Sequence, residues 1–219
     1  SILDETGKPV VNSPQALKGL SFFVKLLRED NVLPAGTINY LWMDIRTLFA
    51  QGNFAMVQEF NDIIPLLDDP KTSRVRGKYD LALIPGDVRQ GTNNAGWLVA
   101  IPQGCRNPVE AGKLIDFIMS IRAQMEMCLV SGTLSARKSV LDSLIAKGTP
   151  GLPKGDVHGK SRWEFYKNVI ATTYELPRVT EEPEIETILG VALSQALAGI
   201  KSPQEALDGA QQEIEEILR

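Results

Sequence analysis

Leu48-Phe-Ala-Gln-Gly-Asn-Phe-Ala-Met-Val57 decides the fold of this chain. It reads as a helix end, a glycine stop and a short buried strand within ten residues. Gly52 can take the left-handed backbone that terminates a helix. Phe54, Met56 and Val57 suit a strand that starts at once. Such a corner brings a helix surface close to the far end of the strand, where Glu59, Asn61 and Asp62 follow. In open α/β sheets, ligands sit outside the carboxyl ends of strands.

Outward from that corner, helices and strands alternate. Ser13-Pro14 announces a first helix, because Ser13 can accept from the orphan amides and Pro14 needs no partner for its missing N–H. Leu17, Leu20, Val24 and Leu27 recur at helical spacing behind it, and Asn31 and Pro34 end it. A second helix runs from Trp42 to Gln51, with Leu41, Ile45, Leu48 and Phe49 as its apolar stripe. Ile63 to Pro70 reads as a short helix and turn, for which Asp62 is a candidate cap. Tyr79 to Ile84 and Trp97 to Ile101 read as buried strands, with a polar loop over Asp87 to Ala95.

Asn107-Pro-Val-Glu110 repeats the cap device, with Glu110 placed to reach back in a capping box. Further helices are expected over Ser120 to Val130, Val140 to Ala146 and Ser161 to Thr173. A glycine-, proline- and lysine-rich loop spans 147–160. Ile185, Ile188, Leu189, Ala192 and Ala196 mark a helix ending near Gly199. Ser202-Pro-Gln-Glu205 caps the last helix, striped by Leu207, Ala210, Ile214, Ile217 and Leu218. Trp163 and Tyr166 fit a buried stripe.

Composition excludes several classes of function. The chain has 219 residues, 43% hydrophobic and 23% charged, with a net charge of −4. No long basic run exists, which argues against a nucleic-acid partner. No apolar stretch approaches the ~18 residues of a membrane span. The opening at Ser1-Ile-Leu-Asp-Glu-Thr-Gly suggests an internal start, so the lack of a signal peptide says little about compartment. Cys105 and Cys128 lack metal-site spacing. They read as unpaired thiols, and could pair if the protein is exported. His158, in the glycine-rich loop, is the single histidine. No metal site and no cofactor are expected.

Leu48 to Val57 resembles the "LFxxGxxAM" signature of family 1 extracellular solute-binding proteins, the sugar-binding subunits of bacterial ABC importers. Asn94-Ala-Gly-Trp-Leu-Val-Ala-Ile-Pro-Gln-Gly104 with Asn107-Pro-Val-Glu-Ala-Gly-Lys113 resembles "GGWxLAIPKxSKNPEAAxK". Gly132-Thr-Leu-Ser-Ala-Arg-Lys138 resembles "GxxPxRxS", with Ser135 where proline is usual. Ser202-Pro-Gln-Glu-Ala-Leu-Asp208 resembles "SPEEALxxA". The likeness runs over nearly the whole chain and over the C-terminal half or so of the family.

The resemblance implies an α/β, periplasmic-binding-protein-like type II fold, as its helix-rich C-terminal part with part of the second lobe. Residues 1–76 plus 141–219 would form the C-terminal lobe. Residues 77–140 would belong to an N-terminal lobe whose remainder, with its export signal, is absent. Hinges are expected near Arg76-Gly77-Lys78 and near Ser139 to Leu141. The implied partners are a carbohydrate or polyol ligand and the membrane permease subunits of an ABC importer. The implied location is periplasmic or extracellular, membrane-associated through the transporter. Self-association through the exposed faces of the incomplete lobe is a further expectation.

Sugar recognition needs flat aromatic faces for the C–H side of a pyranose, and planar polar groups for its hydroxyls. The ligand-binding candidates are Trp42, Asp44, Glu59, Asn61, Trp97 and Arg137. Trp42 either stacks on a ligand or packs on a neighbouring helix. Glu59 and Asn61 either contact ligand or are solvated turn residues. Trp97 follows Ala95-Gly96, where backbone is open to close approach; the alternative is a core tryptophan. Arg137 either forks onto hydroxyls or an acidic group, or pairs with a nearby acid. Asn39 and Tyr40 are weaker candidates. A hydrolase with Glu59 and Asp44 as its carboxylate pair is the alternative function, and a helical interaction module is a third reading. No catalytic residue is assigned, because no Walker, G-x-G-x-x-G or G-x-S-x-G motif occurs.

Overall fold

The structure is a computed structural model, and it describes residues 2–87, 90–93, 96, 98–148, 156–157, 160–174 and 179–219. In chain order the helices and strands are α1 (Pro14–Arg28), α2 (Trp42–Ala50), α3 (Ile64–Asp68), β1 (Thr92–Asn93), α4 (Pro108–Ile118), α5 (Ile121–Ser131), α6 (Lys138–Ala146), β2 (Asp156–Val157), β3 (Lys160–Ser161), α7 (Arg162–Ile170), β4 (Thr173–Tyr174), α8 (Glu182–Ala198) and α9 (Pro203–Ile217). Single 3₁₀ turns occupy Thr37–Asn39 and Asn61–Ile63.

The chain divides into two compact units, Ser1–Leu41 with Leu176–Arg219, and Trp42–Glu175. This division by compactness differs from the lobe division that the resemblance implies.

In the first unit, α1, α8 and α9 pack around Val11, Leu20, Ile185, Ala192, Ala196, Leu207 and Ile214. The helices form where their caps predict. The Ser13 side chain accepts from the Ala16 N–H, and Ser202 and Glu205 complete a reciprocal capping box. Gly199 ends α8 in the left-handed region at φ 72°. The Arg28 guanidinium lies where a Cβ on Gly199 would project, and it donates to the Leu197 carbonyl at 3.3 Å. That bond satisfies an orphan acceptor at the end of α8, where a cation also suits the helix dipole. Gln211 ties α9 to the chain start, donating to the Pro9 carbonyl and accepting from the Val11 N–H.

The second unit has two adjacent cores. Ile64, Cys128, Val140, Leu141, Leu144, Trp163 and Tyr166 form one. Ala50, Ile63 and Leu67 form the other, with Phe49, Val57, Val75 and Tyr79 packed against it. Trp163 and Tyr166 are thus core residues, as their helical spacing suggests. β1 pairs parallel with β4, Thr92 opposite Thr173, and β2 pairs antiparallel with β3. Lys138 and Lys167 both reach Asp142, tying α6 to α7.

Several expected elements differ. Phe54 to Val57, Tyr79 to Ile84 and the described residues of Trp97 to Ile101 form no strand. Extended backbone becomes a strand only when a ladder of hydrogen bonds fixes it. Among the described residues, none of these segments has such a ladder. Their burial is mixed: Val57 and Leu81 pack on helices, whereas Met56 and Leu98 are almost fully exposed. Asp62 caps nothing. It lies inside the 3₁₀ turn, whose N-cap is Phe60. The expected capping box at Asn107 and Glu110 does not form. Asn107 sits at φ −129°, ψ 63°. The three serine N-caps hold ψ near the extended value, at 155°, 152° and 155°. Leu41 is exposed rather than part of a buried stripe.

The two cysteines are free: Cys105 is half-buried and Cys128 is buried, with its thiol pushed up by desolvation. His158 and Trp97 lie outside the described residues. Among the described residues, no helix is long and apolar enough to cross a membrane.

Candidate functional site

The site is built from the corner that ends α2. Gly52 adopts φ 79°. Its N–H donates to the Phe49 carbonyl at 2.8 Å, and the Asn53 N–H to the Leu48 carbonyl at 3.0 Å. These two bonds are the Schellman closure of a helix, and they require the left-handed residue that glycine supplies. The chain then turns back, so that residues 59–62 lie beside the side chains of α2.

Arg46 joins the two limbs. Its Nη2 donates to Glu59 Oε1 at 3.0 Å and to Asp62 Oδ1 at 2.7 Å, and its Nη1 to Asp62 Oδ2 at 3.3 Å. Glu59 and then Asp62 hold the guanidinium more firmly charged than usual, against its partial desolvation. Arg46 Nε is buried without a hydrogen-bond partner. The Glu59 carboxylate also accepts from the Phe60 N–H at 2.8 Å.

Trp42 lies one helical turn before Arg46. The guanidinium carbon is 5.9 Å from the centre of the indole, within range of a cation–π attraction. Phe60 meets the ring edge-on at 6.0 Å and 68°. These contacts fix the indole while leaving 61% of Trp42 exposed. A tryptophan that is held in place yet open to solvent can offer an apolar face to a solute, with carboxylates at its border to accept hydroxyl donors.

The other expected site residues are placed as follows. Asp44 is exposed in the first turn of α2. Asn61 extends its Nδ2 to the Gly132 carbonyl at 3.5 Å, which ties the corner to the loop after α5. Arg137, at the far end of that loop, donates through Nε to the Met119 carbonyl, and among the described residues no acid pairs with it. Trp42, Glu59 and Asn61 are thus gathered at one corner, and Arg137 is linked to it only through the loop. Asn39 instead lines a shallow groove of the first unit with Thr187, Val191 and Ser194.

The loop from Gly132 to Arg137 is set by a buried amide. Gln124 Oε1 accepts from the Ser135 hydroxyl at 2.9 Å and the Ala136 N–H at 3.1 Å, while its Nε2 donates to the Ile118 carbonyl at 3.1 Å. The Ser135 hydroxyl also accepts from the Arg137 N–H at 2.9 Å. Serine therefore takes the place of the usual proline with specific bonds of its own.

Sequence reasoning missed Arg46 and Asp62 as partners. The signal was available: Trp42 and Arg46 are four apart on a helix, the spacing at which side chains meet. Among the described residues, no group of three or more His, Cys, Asp or Glu is placed to hold a metal.

Comparison with known proteins agrees with this architecture. The chain aligns over 99% of its length and 54% of the partner's with the maltose-bound MalE3 of T. maritima, at TM-score 0.87 and 24% identity. The tagatose-bound ABC transporter solute-binding protein of Thermotoga lettingae TMO gives 0.85 and 25%, over 100% of this chain and 53% of that one. The ribitol-bound solute-binding protein of Agrobacterium radiobacter K84 gives 0.73 and 28%, over 99% and 53%. A probable amino-acid ABC transporter periplasmic-binding protein of Sinorhizobium fredii is 21% identical over 99% of this chain and 46% of its own length. The chain thus spans about half the length of these relatives. Its fold is periplasmic-binding-protein-like, in a helix-rich part. The profile of the bacterial extracellular solute-binding protein family matches residues 1–125, and the chain belongs to that family.

Proposed function

We propose that the protein containing this chain is the substrate-binding component of an ABC importer, and that it carries a sugar or polyol to a membrane permease. The observation that carries the reading is the Trp42 indole, steadied by Arg46 and Phe60 yet open to solvent. Tagatose and ribitol, named with two of the solved relatives, supply the ligand class. Trp42 would cover the C–H face of the solute, with Asp44, Glu59, Asn61, Trp97 and Arg137 as the further candidate contacts. Residues 77–140 would belong to the other lobe, with closure turning near 76–78, where Gly77 sits at φ 68°; the second expected hinge, Ser139 to Leu141, lies inside α6 with Val140 and Leu141 in the core. Ligand can favour the closed state only through contacts it gains there. The protein would act outside the cytoplasmic membrane and associate with it through the permease.

The protein would bind without turning its ligand over. A thermal-shift screen of the full-length gene product with ribitol, tagatose and maltose tests this. A rise in melting temperature with at least one is expected. No rise with any, together with release of the aglycone from aryl glycosides, would replace this reading with the hydrolase.

A further inference from the structure

This inference rests on the reading of the Trp42 corner as a solute contact, and concerns which solutes it admits. An arginine in a ligand site is ordinarily an anchor for carboxylate or phosphate, through its paired N–H groups. Arg46 is not available in that way. Both of its terminal nitrogens are taken by Glu59 and Asp62, and its Nε faces buried surroundings.

Among the described residues, two carboxylates meet one guanidinium beside Trp42, so this cluster carries one uncompensated negative charge. The exposures decide which sign a solute meets. The side chains of Arg46 and Glu59 are 12% and 8% exposed, whereas that of Asp62 is 52% exposed. The cation and one anion are sunk beneath the surface, and the second anion is presented. Arg137, on the loop that Asn61 touches, is turned to the Met119 carbonyl.

We propose that Asp62 is a specificity-determining residue, which makes this corner reject solutes bearing carboxylate or phosphate and admit uncharged polyhydroxy compounds. Its half-exposed carboxylate can accept further bonds from hydroxyls beside those from Arg46, and repels an anion brought to this corner. Arg46 serves as the positioning residue that holds Asp62 and Trp42 together.

Matched pairs test this. The full-length protein is titrated calorimetrically with ribitol and ribonate, and with sorbitol and gluconate. The acids are expected to bind at least about tenfold more weakly than the neutral partners, the order of effect for a like charge at short range in a partly exposed site. Asp62→Asn, checked by circular dichroism to be folded, should shrink that gap several-fold. An acid binding as tightly as its neutral partner, or a gap that Asp62→Asn leaves unchanged, overturns the proposal while leaving solute binding intact.

A second readout decides the matter even if no neutral solute binds, an outcome that would sink the proposed function. The emission lost in Trp42→Phe is measured under quenching by neutral acrylamide and by iodide. In the unaltered protein, acrylamide should quench this component several times more strongly than iodide, and Asp62→Asn should raise the iodide quenching. Equal iodide quenching in both proteins overturns the proposal.

Discussion

Arg46 and Glu59 stand thirteen residues apart in sequence and meet at 3.0 Å across the Gly52 corner, with both side chains largely withdrawn from solvent. The pair fixes the second limb of the corner to α2. Removing one partner of a withdrawn ion pair leaves the other uncompensated, whereas an exposed partner costs little. Glu59→Ala is therefore expected to lower unfolding stability by about 2–3 kcal/mol, and Asp62→Ala by less than ~1 kcal/mol, in urea titrations. Equal costs would show that the withdrawn pair has no special part.

Two glycines should respond with opposite sign. Gly52→Ala meets only ordinary contact, with Val75 Cγ1 3.7 Å from the new Cβ, so its cost is the left-handed backbone. That is about 1–2 kcal/mol. Gly19 lies exposed within α1 with open space around it, so Gly19→Ala should stabilise by about 0.5–1 kcal/mol through helix propensity. Thermal unfolding of both variants checks the signs.

Gln124→Leu should loosen the loop carrying Arg137. It leaves the Ser135 hydroxyl, the Ala136 N–H and the Ile118 carbonyl without their partner. A fully buried unpaired group costs about 1–3 kcal/mol, and these part-buried ones less each. The expected result is a loss of at least ~2 kcal/mol and faster amide exchange over 132–137. Unchanged exchange there would assign the loop's order to other contacts.

Acid should weaken the fold from identifiable points. The Glu205 carboxyl is held below its ordinary 4.5 by the Ser202 side chain, then by the Ser202 backbone. Asp142 is held below 3.8 by Lys138, then by Lys167. A carboxyl with a lowered folded-state pKa contributes stability above its unfolded value, and loses it as pH falls through the folded one. Burial raises Asp68 instead, so its contribution declines as pH rises above 3.8. The stability profile should thus fall below about pH 4 and be flatter there in Glu205→Gln and Asp142→Asn. A profile unaltered by either substitution would contradict this account.

The helices were legible because their signals are local. Ser13 and Ser202 cap α1 and α9 as their spacing predicts, and Gly132 and Gly199 end α5 and α8. Apolar stripes at Leu207, Ala210 and Ile214 became core. The expected strands were not legible in the same sense. Alternating apolar residues in 54–57 and 79–84 report partial burial, but a ladder depends on a distant partner that no short window contains. The corner itself is readable from Gly52, and Arg46 links Trp42 and Glu59 across it. Arg46, the side chain that joins them, is legible only in the Trp42–Arg46 helical spacing, because nothing local to Arg46 marks it as the partner of residues 59–62. Asp62 was misread as a cap, because an acidic residue before a helix has two available partners and only the folded corner selects between them.

Trp42→Ala offers the most direct test of solute binding at this corner. Ribitol and tagatose are titrated calorimetrically into the full-length protein and into this variant, with melting temperatures recorded for both. Binding by the unaltered protein that weakens at least about tenfold in Trp42→Ala, with the melting temperature of the ligand-free protein little changed, is the predicted result. Equal affinity in the two proteins would contradict it.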